Sequence, residues 1–266
     1  MKQRLVTGLI AGAGFLAVLI VGQLYFAGLI LVLAAVGYYE FSRMNGHPPF
    51  RLTGLLGFAG TLYIAFPWES ESYSGLRALA PEAAIWLALF LLFVLTVISK
   101  NKVTIDQIAL VFLGVLYIGT GFHYMISTRL GDHGLYWTLL TFVCIWATDS
   151  GAYFCGRAFG KRPLWPTISP KKTVEGALGG VVISVVVALL FSIYAPDLLT
   201  WGRAIGLGLV IAVAGQLGDL IQSAYKRIRG IKDTGSILPG HGGVLDRCDS
   251  WLIVFPFVQL LSLLPQ

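Results

Sequence analysis

"LVTGLIAGAGFLAVLIVGQLYFAGLILVLAAVGYY" runs from Leu5 to Tyr39 without one charged residue. As a single helix this stretch would be about 52 Å long, far beyond a hydrocarbon core of ~30 Å. Gly22-Gln23 is the natural break, so the stretch reads as two helices, Leu5–Val21 and Leu24–Tyr39. Lys2 and Arg4 precede the first of them, as the basic residues of a signal peptide would. No convincing small-x-small cleavage site follows, and a second apolar run comes directly after. The first helix is therefore expected to be retained.

Further apolar runs follow at Leu52–Pro67, Ala83–Ile98, Ile108–Ile126, Leu135–Thr148, Gly176–Ala195, Ala204–Leu220 and Trp251–Leu264. The 266-residue chain is 56% hydrophobic and 12% charged, against about 25% charged in soluble domains. With a mean hydropathy of +0.79 it cannot cover its own core with polar surface, so lipid is the expected solvent. The runs are continuous and lack two-residue alternation, which favours helices over a barrel. The predicted fold is all-α and polytopic, with about nine transmembrane helices and a cytoplasmic amino terminus. That orientation leaves only Arg77, Arg129 and Arg203 of the 19 Lys and Arg residues outside. Reading Leu5–Tyr39 as one helix would move Lys2 and Arg4 outside as well, a weaker positive-inside bias.

The net charge of +6 follows from cytoplasmic loops facing anionic lipid and gives no argument for a nucleic-acid partner. Cys144, Cys155 and Cys248 have no zinc-site spacing, and their odd number argues against a disulfide framework. They are expected to pack as small apolar residues. His47, His123, His133 and His241 are scattered. Low-complexity tracts, soluble domains and clear repeats are absent from the sequence. Small residues in runs such as "GALGG" (Gly176–Gly180) should let helices pack closely.

Charge is unevenly distributed. Residues 1–134 carry no compact polar constellation and read as scaffold facing lipid. Residues 135–266 carry two dense cytoplasmic segments, Asp149–Glu175 and Asp219–Ser250, which are expected to hold the chemistry. In the first, Asp149 ends an apolar run, where an unpaired acid costs up to ~3 kcal/mol. Ser169-Pro170 reads as a helix cap followed by proline at the first helical position. Lys171 and Lys172 would then lie in the first turn, where a bound anion offsets their clash with the helix dipole. Ordinary positive-inside charge is the equal alternative for this pair.

In the second segment Asp219, Ser223 and Lys226 recur at i, i+4 and i+7, on one helical face. Pro239, Gly240, Gly242 and Gly243 bracket His241 in a tight turn whose amides could approach an anion. Asp246 and Asp249 follow at i and i+3 and share a face if the last helix starts early. The alternative is that Asp249 or Ser250 caps a helix beginning at Trp251. Carboxylates, lysines, arginines and a glycine turn without a nucleophilic cysteine or serine–histidine pair suit phosphoryl or nucleotidyl transfer. Carboxylates hold Mg²⁺, and bases offset charge on the transferring group. Spacing alone names no substrate and leaves a transporter open.

"SAYKRIRGIKDTGSILPGHGGVLDRCDS" (Ser223–Ser250) closely resembles the signature of the phosphatidate cytidylyltransferases, or CDP-diacylglycerol synthases. The match lies in Ser223, Lys226-Arg227, Lys232-Asp233, Pro239 with His241-Gly242-Gly243, and Asp246-Arg247 with Asp249. "DSGAYFCGRAFGK" (Asp149–Lys161) and "SPKKTVEG" (Ser169–Gly176) resemble the same family, so the likeness covers roughly Asp149 to the end. The resemblance implies formation of CDP-diacylglycerol and pyrophosphate from CTP and phosphatidate, in phospholipid biosynthesis at the cell membrane. It also implies Mg²⁺ and a monovalent cation such as K⁺. Asp219, Asp246 and Asp249 are then the expected metal ligands, with Asp149 a further candidate, and these three acids with Lys226 form the catalytic set. Lys171, Lys172, Ser223, Arg227, Lys232, His241, Gly242, Gly243 and Arg247 are the expected substrate-binding residues. The expected partners are the two substrates and membrane lipids, not nucleic acid, with a homodimer as the assembly to test. A CTP-using lipid kinase and a secondary transporter are the rival readings. A transporter would place its ionisable groups near mid-membrane, whereas these cluster at one edge.

Overall fold

A computed structural model describes residues 2–68, 79–237 and 242–264. Among the described residues there are nine helices: α1 (Lys2–Val21), α2 (Gln23–Met44), α3 (Leu52–Ala65), α4 (Pro81–Ile98), α5 (Ile105–Leu130), α6 (Gly134–Phe159), α7 (Val174–Tyr194), α8 (Trp201–Ile228) and α9 (Leu245–Leu260). Six of them, α2 and α4 to α8, are long and apolar enough to cross a membrane. The protein is a polytopic helical membrane protein. The 14 residues of α3 span only about 21 Å, less than a typical hydrocarbon core. The 16 residues of α9 include Pro256.

The fold departs from a purely helical one in a hairpin between α6 and α7. Its strands are β1 (Pro163–Trp165) and β2 (Ser169–Thr173), paired antiparallel with Pro163 opposite Thr173 and Trp165 opposite Ser169. Ile168 N–H donates to Trp165 O across the turn at 3.1 Å. This corrects the expected helix start at Ser169-Pro170: Lys171 and Lys172 lie on β2. The helix begins at Val174, where the Thr173 hydroxyl accepts from Gly176 N–H at 3.1 Å. The reason is electrostatic and local. A start at Pro170 would put two lysines against the dipole, whereas the Thr173 cap puts Glu175 in the first turn, where an acid is favoured. Proline costs little in a two-stranded ribbon, because each strand has an unpaired edge. Glu175 Oε2 accepts from the N–H groups of Lys161 (3.0 Å) and Arg162 (3.2 Å), closing the base of the hairpin on the start of α7.

The chain divides into two compact units, Met1–Leu130 with Asp233–Arg247, and Gly131–Lys232 with Cys248–Gln266. In the first unit the break between α1 and α2 falls at Gly22 (φ 75°) and Gln23 (φ 44°), as expected from the sequence. Arg129, in the last turn of α5, donates from Nε to Leu19 O at 2.9 Å and from Nη2 to Ile20 O at 3.3 Å. It thereby satisfies carbonyls that a helix end leaves open. Gly22 leaves room for that guanidinium, which a Cβ there would strike. Phe26, Ile30 and Tyr38 of α2 and Ile118 and Phe122 of α5 are fully buried. In lipid this core gains from close packing more than from removal of water. In α4 only Leu92 is buried, so most of that helix is exposed.

The second unit packs Leu140 and Cys144 of α6, Ala188 of α7, Leu207 and Ile211 of α8 and Val254 and Val258 of α9 into one apolar cluster. The "GALGG" run brings α7 onto α6: Gly176 faces Ala152 O and Gly180 faces Thr148 O. None of the three cysteines is in a disulfide among the described residues, and Cys144 and Cys248 are buried as expected.

Candidate active site

The polar face of the second unit is built on helices that run past their apolar segments. The helix α6 continues beyond Thr148 to Phe159, so Asp149 lies within it, exposed, rather than at its end. Beyond Leu220, α8 continues for two more turns to Ile228, placing Asp219, Ser223 and Lys226 on one face as the spacing predicts. Ser223 Oγ donates to Asp219 Oδ1 at 3.3 Å. Lys172 Nζ reaches Asp219 Oδ2 at 2.6 Å, with both side chains about one-third exposed. The lysine of the hairpin thus faces an acid of α8, not its own helix terminus.

Asp249 joins this face from α9. That helix begins at Leu245, so Asp249 and Ser250 lie inside it, which corrects the alternative of a cap before Trp251. A Cβ on Gly218 would stand 2.7 Å from Asp249 O. Glycine there lets α8 and α9 approach closely, and Asp219 follows at once. Ser250 Oγ donates to Gly215 O at 3.0 Å, pinning the two helices one turn further along. Asp249 Oδ1 accepts from Ser250 N–H at 2.7 Å. Asp249 lies within electrostatic reach of Asp219, Lys226 and Asp149, and Asp149 within reach of Asp219 and Lys172. Three acids and two lysines therefore share one local field. Beside them Arg227 Nε donates to Ile168 O at 3.3 Å, tying the end of α8 to the hairpin turn. Lys171 and Lys232 are exposed.

The remaining signature residues belong to the first unit. Asp246 Oδ2 accepts from Thr234 N–H (2.8 Å) and Gly243 N–H (2.9 Å), with the Thr234 hydroxyl, which it shares with Glu40, at 3.0 Å. The glycine turn, expected to offer its amides to an anion, directs the Gly243 N–H to this internal carboxylate. Gly242 takes the left-handed backbone (φ 81°) that the turn needs. Arg247 is exposed. His241, with Pro239 and Gly240, lies outside the described residues. Asp246 and Asp249 stand three residues apart within α9, on one face of that helix.

With this geometry in view, likeness to known proteins is decisive. The model of the cytidylyltransferase family matches residues 2–264. This chain belongs to that family. It is 43% identical over 262 residues to the phosphatidate cytidylyltransferase of Bacillus subtilis (strain 168), covering 98% of this chain and 97% of the relative. The phosphatidate cytidylyltransferase of Staphylococcus saprophyticus is 38% identical over 261 residues, 98% of each chain. That of Staphylococcus aureus (strain COL) is 36% identical over the same length and share. The match thus extends well upstream of Asp149, where the sequence resemblance begins.

Carboxylate oxygen is the donor type that a hard cation prefers. Asp149, Asp219 and Asp249 offer carboxylate oxygen on one face. Among the described residues no three Asp, Glu, His or Cys side chains form a ready-made cage. Mg²⁺ is typically held by one or two carboxylates together with substrate phosphates and water, so a family member that binds nucleotide phosphates suits it.

Sequence reading missed Glu40, Thr234 and the hairpin. Glu40, on α2 in the supposed scaffold, is 2% exposed. Its carboxylate accepts from Val244 N–H, Leu245 N–H and Thr234 Oγ1, all in the signature segment. An acid closing a long apolar run was its one available signal.

Proposed function

We propose that this family member makes CDP-diacylglycerol and pyrophosphate from CTP and phosphatidate, in phospholipid biosynthesis. The observation that carries this reading is 43% identity over 98% of the chain to a protein named phosphatidate cytidylyltransferase. The acid-and-lysine face supports it chemically.

In the reaction a phosphate oxygen of phosphatidate attacks the α-phosphorus of CTP. The bond from that phosphorus to the α–β bridging oxygen breaks, and pyrophosphate leaves with the electron pair. No covalent enzyme intermediate is needed. Both substrates are anionic, so the chain must offset repulsion as they approach. Lys172, paired with Asp219, and Lys226, near Asp249, are the cations best placed to meet phosphate. Lys171, Arg227, Lys232, His241 and Arg247 complete the basic set. Ser223 orients Asp219, and Gly242 and Gly243 shape the turn before α9. Asp219, Asp246 and Asp249 would hold Mg²⁺, which when bound supplies positive charge at the phosphate oxygens, with K⁺ as a second cation.

The same reading places the amino terminus and the polar face on the cytoplasmic side of the cell membrane, with nine spans and a homodimeric assembly. The test of the reaction is purified protein with labelled CTP and phosphatidate. CDP-diacylglycerol and pyrophosphate should form in equal amounts. Phosphoryl transfer with release of CDP would mark a lipid kinase and overturn the assignment.

A further inference from the structure

Glu40 is a carboxylate buried inside the first unit, where an acid persists only with strong donors around it. Its donors come from residues roughly two hundred positions away. Oε1 accepts from Val244 N–H at 3.0 Å, and Oε2 from Leu245 N–H at 2.9 Å and Thr234 Oγ1 at 3.1 Å. Leu245 is the first residue of α9, so these amides are among the donors that a helix start leaves open, where negative charge is favoured. A local Ser or Asp usually fills that role. Here a side chain from another helix does so.

The loop is shaped around this carboxylate. A Cβ on either Gly235 or Gly243 would strike it. Thr234 joins it to the site, because Oγ1 stands 3.1 Å from Glu40 Oε2 and 3.0 Å from Asp246 Oδ2. A hydroxyl has one proton and can donate to only one of two carboxylates at a time. The orientations of the two acids are therefore linked through Thr234. Gly243 N–H holds the same Asp246 oxygen from the other side.

We propose that Glu40 is a positioning residue for the reaction: reaching from α2, it fixes the first turn of α9 and, through Thr234, the orientation of Asp246. This role rests on the function proposed above, in which Asp246 serves as a metal ligand. Supporting groups of this kind hold a ligand's oxygen in one direction, and their loss weakens metal binding or turnover by about 10- to 100-fold.

The test uses the full chain in detergent or nanodiscs. Glu40→Gln keeps the size but replaces one accepting oxygen with a donor, which must then face an N–H. Gly235→Ala pushes on the same carboxylate without altering it. Both variants should lose turnover by about 10- to 100-fold and need more Mg²⁺ for half-maximal rate. Without Mg²⁺ or substrate, hydrogen exchange at Val244 and Leu245 should be faster than in the wild type. Folded variants with wild-type turnover, Mg²⁺ dependence and exchange would overturn the role. Activity lost only in proportion to folded protein, at an unchanged Mg²⁺ midpoint, would also overturn it. A folded wild type that makes no CDP-diacylglycerol would instead overturn the reaction assignment, while the exchange result would still report whether Glu40 holds the turn.

Discussion

Lys172→Ala separates a phosphate-binding lysine from ordinary interfacial charge. Lys172 Nζ is 2.6 Å from Asp219 Oδ2, and the two side chains are 28% and 36% exposed. A pair that open to solvent contributes at most about 1 kcal/mol of stability, so the variant should fold with little thermal loss. Function should suffer far more. A hydrogen bond to a charged group is worth about 1.5–3 kcal/mol, and each 1.4 kcal/mol is about tenfold. If Lys172 meets a substrate phosphate, kcat/KM for CTP or phosphatidate should fall by roughly 10- to 100-fold. Removing the cation also leaves Asp219 facing Asp149 and Asp249 without its nearest counter-charge, which adds repulsion against both substrates. Lys172→Arg keeps the charge but not the shape of the ammonium and should recover only part of the loss. The assay is initial-rate CDP-diacylglycerol formation with each substrate varied in turn, beside a melting curve. A folded Lys172→Ala protein with unchanged kcat/KM for both substrates would refute the reasoning and return the lysine to positive-inside charge.

Asp246→Asn should lower turnover by orders of magnitude, with partial rescue by excess Mg²⁺; near-normal turnover at low Mg²⁺ in a folded protein would defeat the ligand assignment. The two amides that donate to its Oδ2, with the shared Thr234 hydroxyl, also predict a stability loss of about 1–3 kcal/mol, visible in the melting curve. Arg129→Ala should destabilise by about 1–3 kcal/mol, because the Leu19 and Ile20 carbonyls lose a charged donor. The rate per folded molecule should not change, and a catalytic defect without a stability loss would contradict its capping role. A reporter fused after Gln266 should lie outside the cytoplasm and one inserted near Gly160 inside. Finding both on one side would rule out nine spans with a cytoplasmic amino terminus.

The helical framework was legible because lipid imposes a simple rule: a long run without charge must satisfy its own backbone. That rule located the nine helices found among the described residues, and the excess length of the 35-residue run placed the break at Gly22. It did not locate the polar helix ends. The last two turns of α8, the continuation of α6 past Asp149 and the early start of α9 are invisible to hydropathy, since the chain stays helical after it becomes polar. The hairpin escaped for a different reason. Ser169-Pro170 satisfies a local capping rule, but Thr173 satisfies it too, with Glu175 rather than two lysines in the first turn, and the pairing of β2 with β1 takes up the residues before it.

The site divides along the same line. Asp219, Ser223 and Lys226 could be grouped from sequence because one helix carries them at a fixed period. The pairing of Lys172 with Asp219 could not, because it joins a strand to a helix 47 positions away and depends on where the hairpin turns. Glu40 is the extreme case. Its donors at Thr234, Val244 and Leu245 are backbone amides and a hydroxyl, groups that every chain has in plenty and that carry no distinguishing pattern. What sequence does record is the room left for the carboxylate, as glycine at 235 and 243. Those glycines lie outside the helices, where glycine is common, so their steric purpose draws no notice. The charge that holds the turn can therefore lie in the half of the protein that looked like scaffold, because a carboxylate is needed where amides converge, whatever segment supplies it.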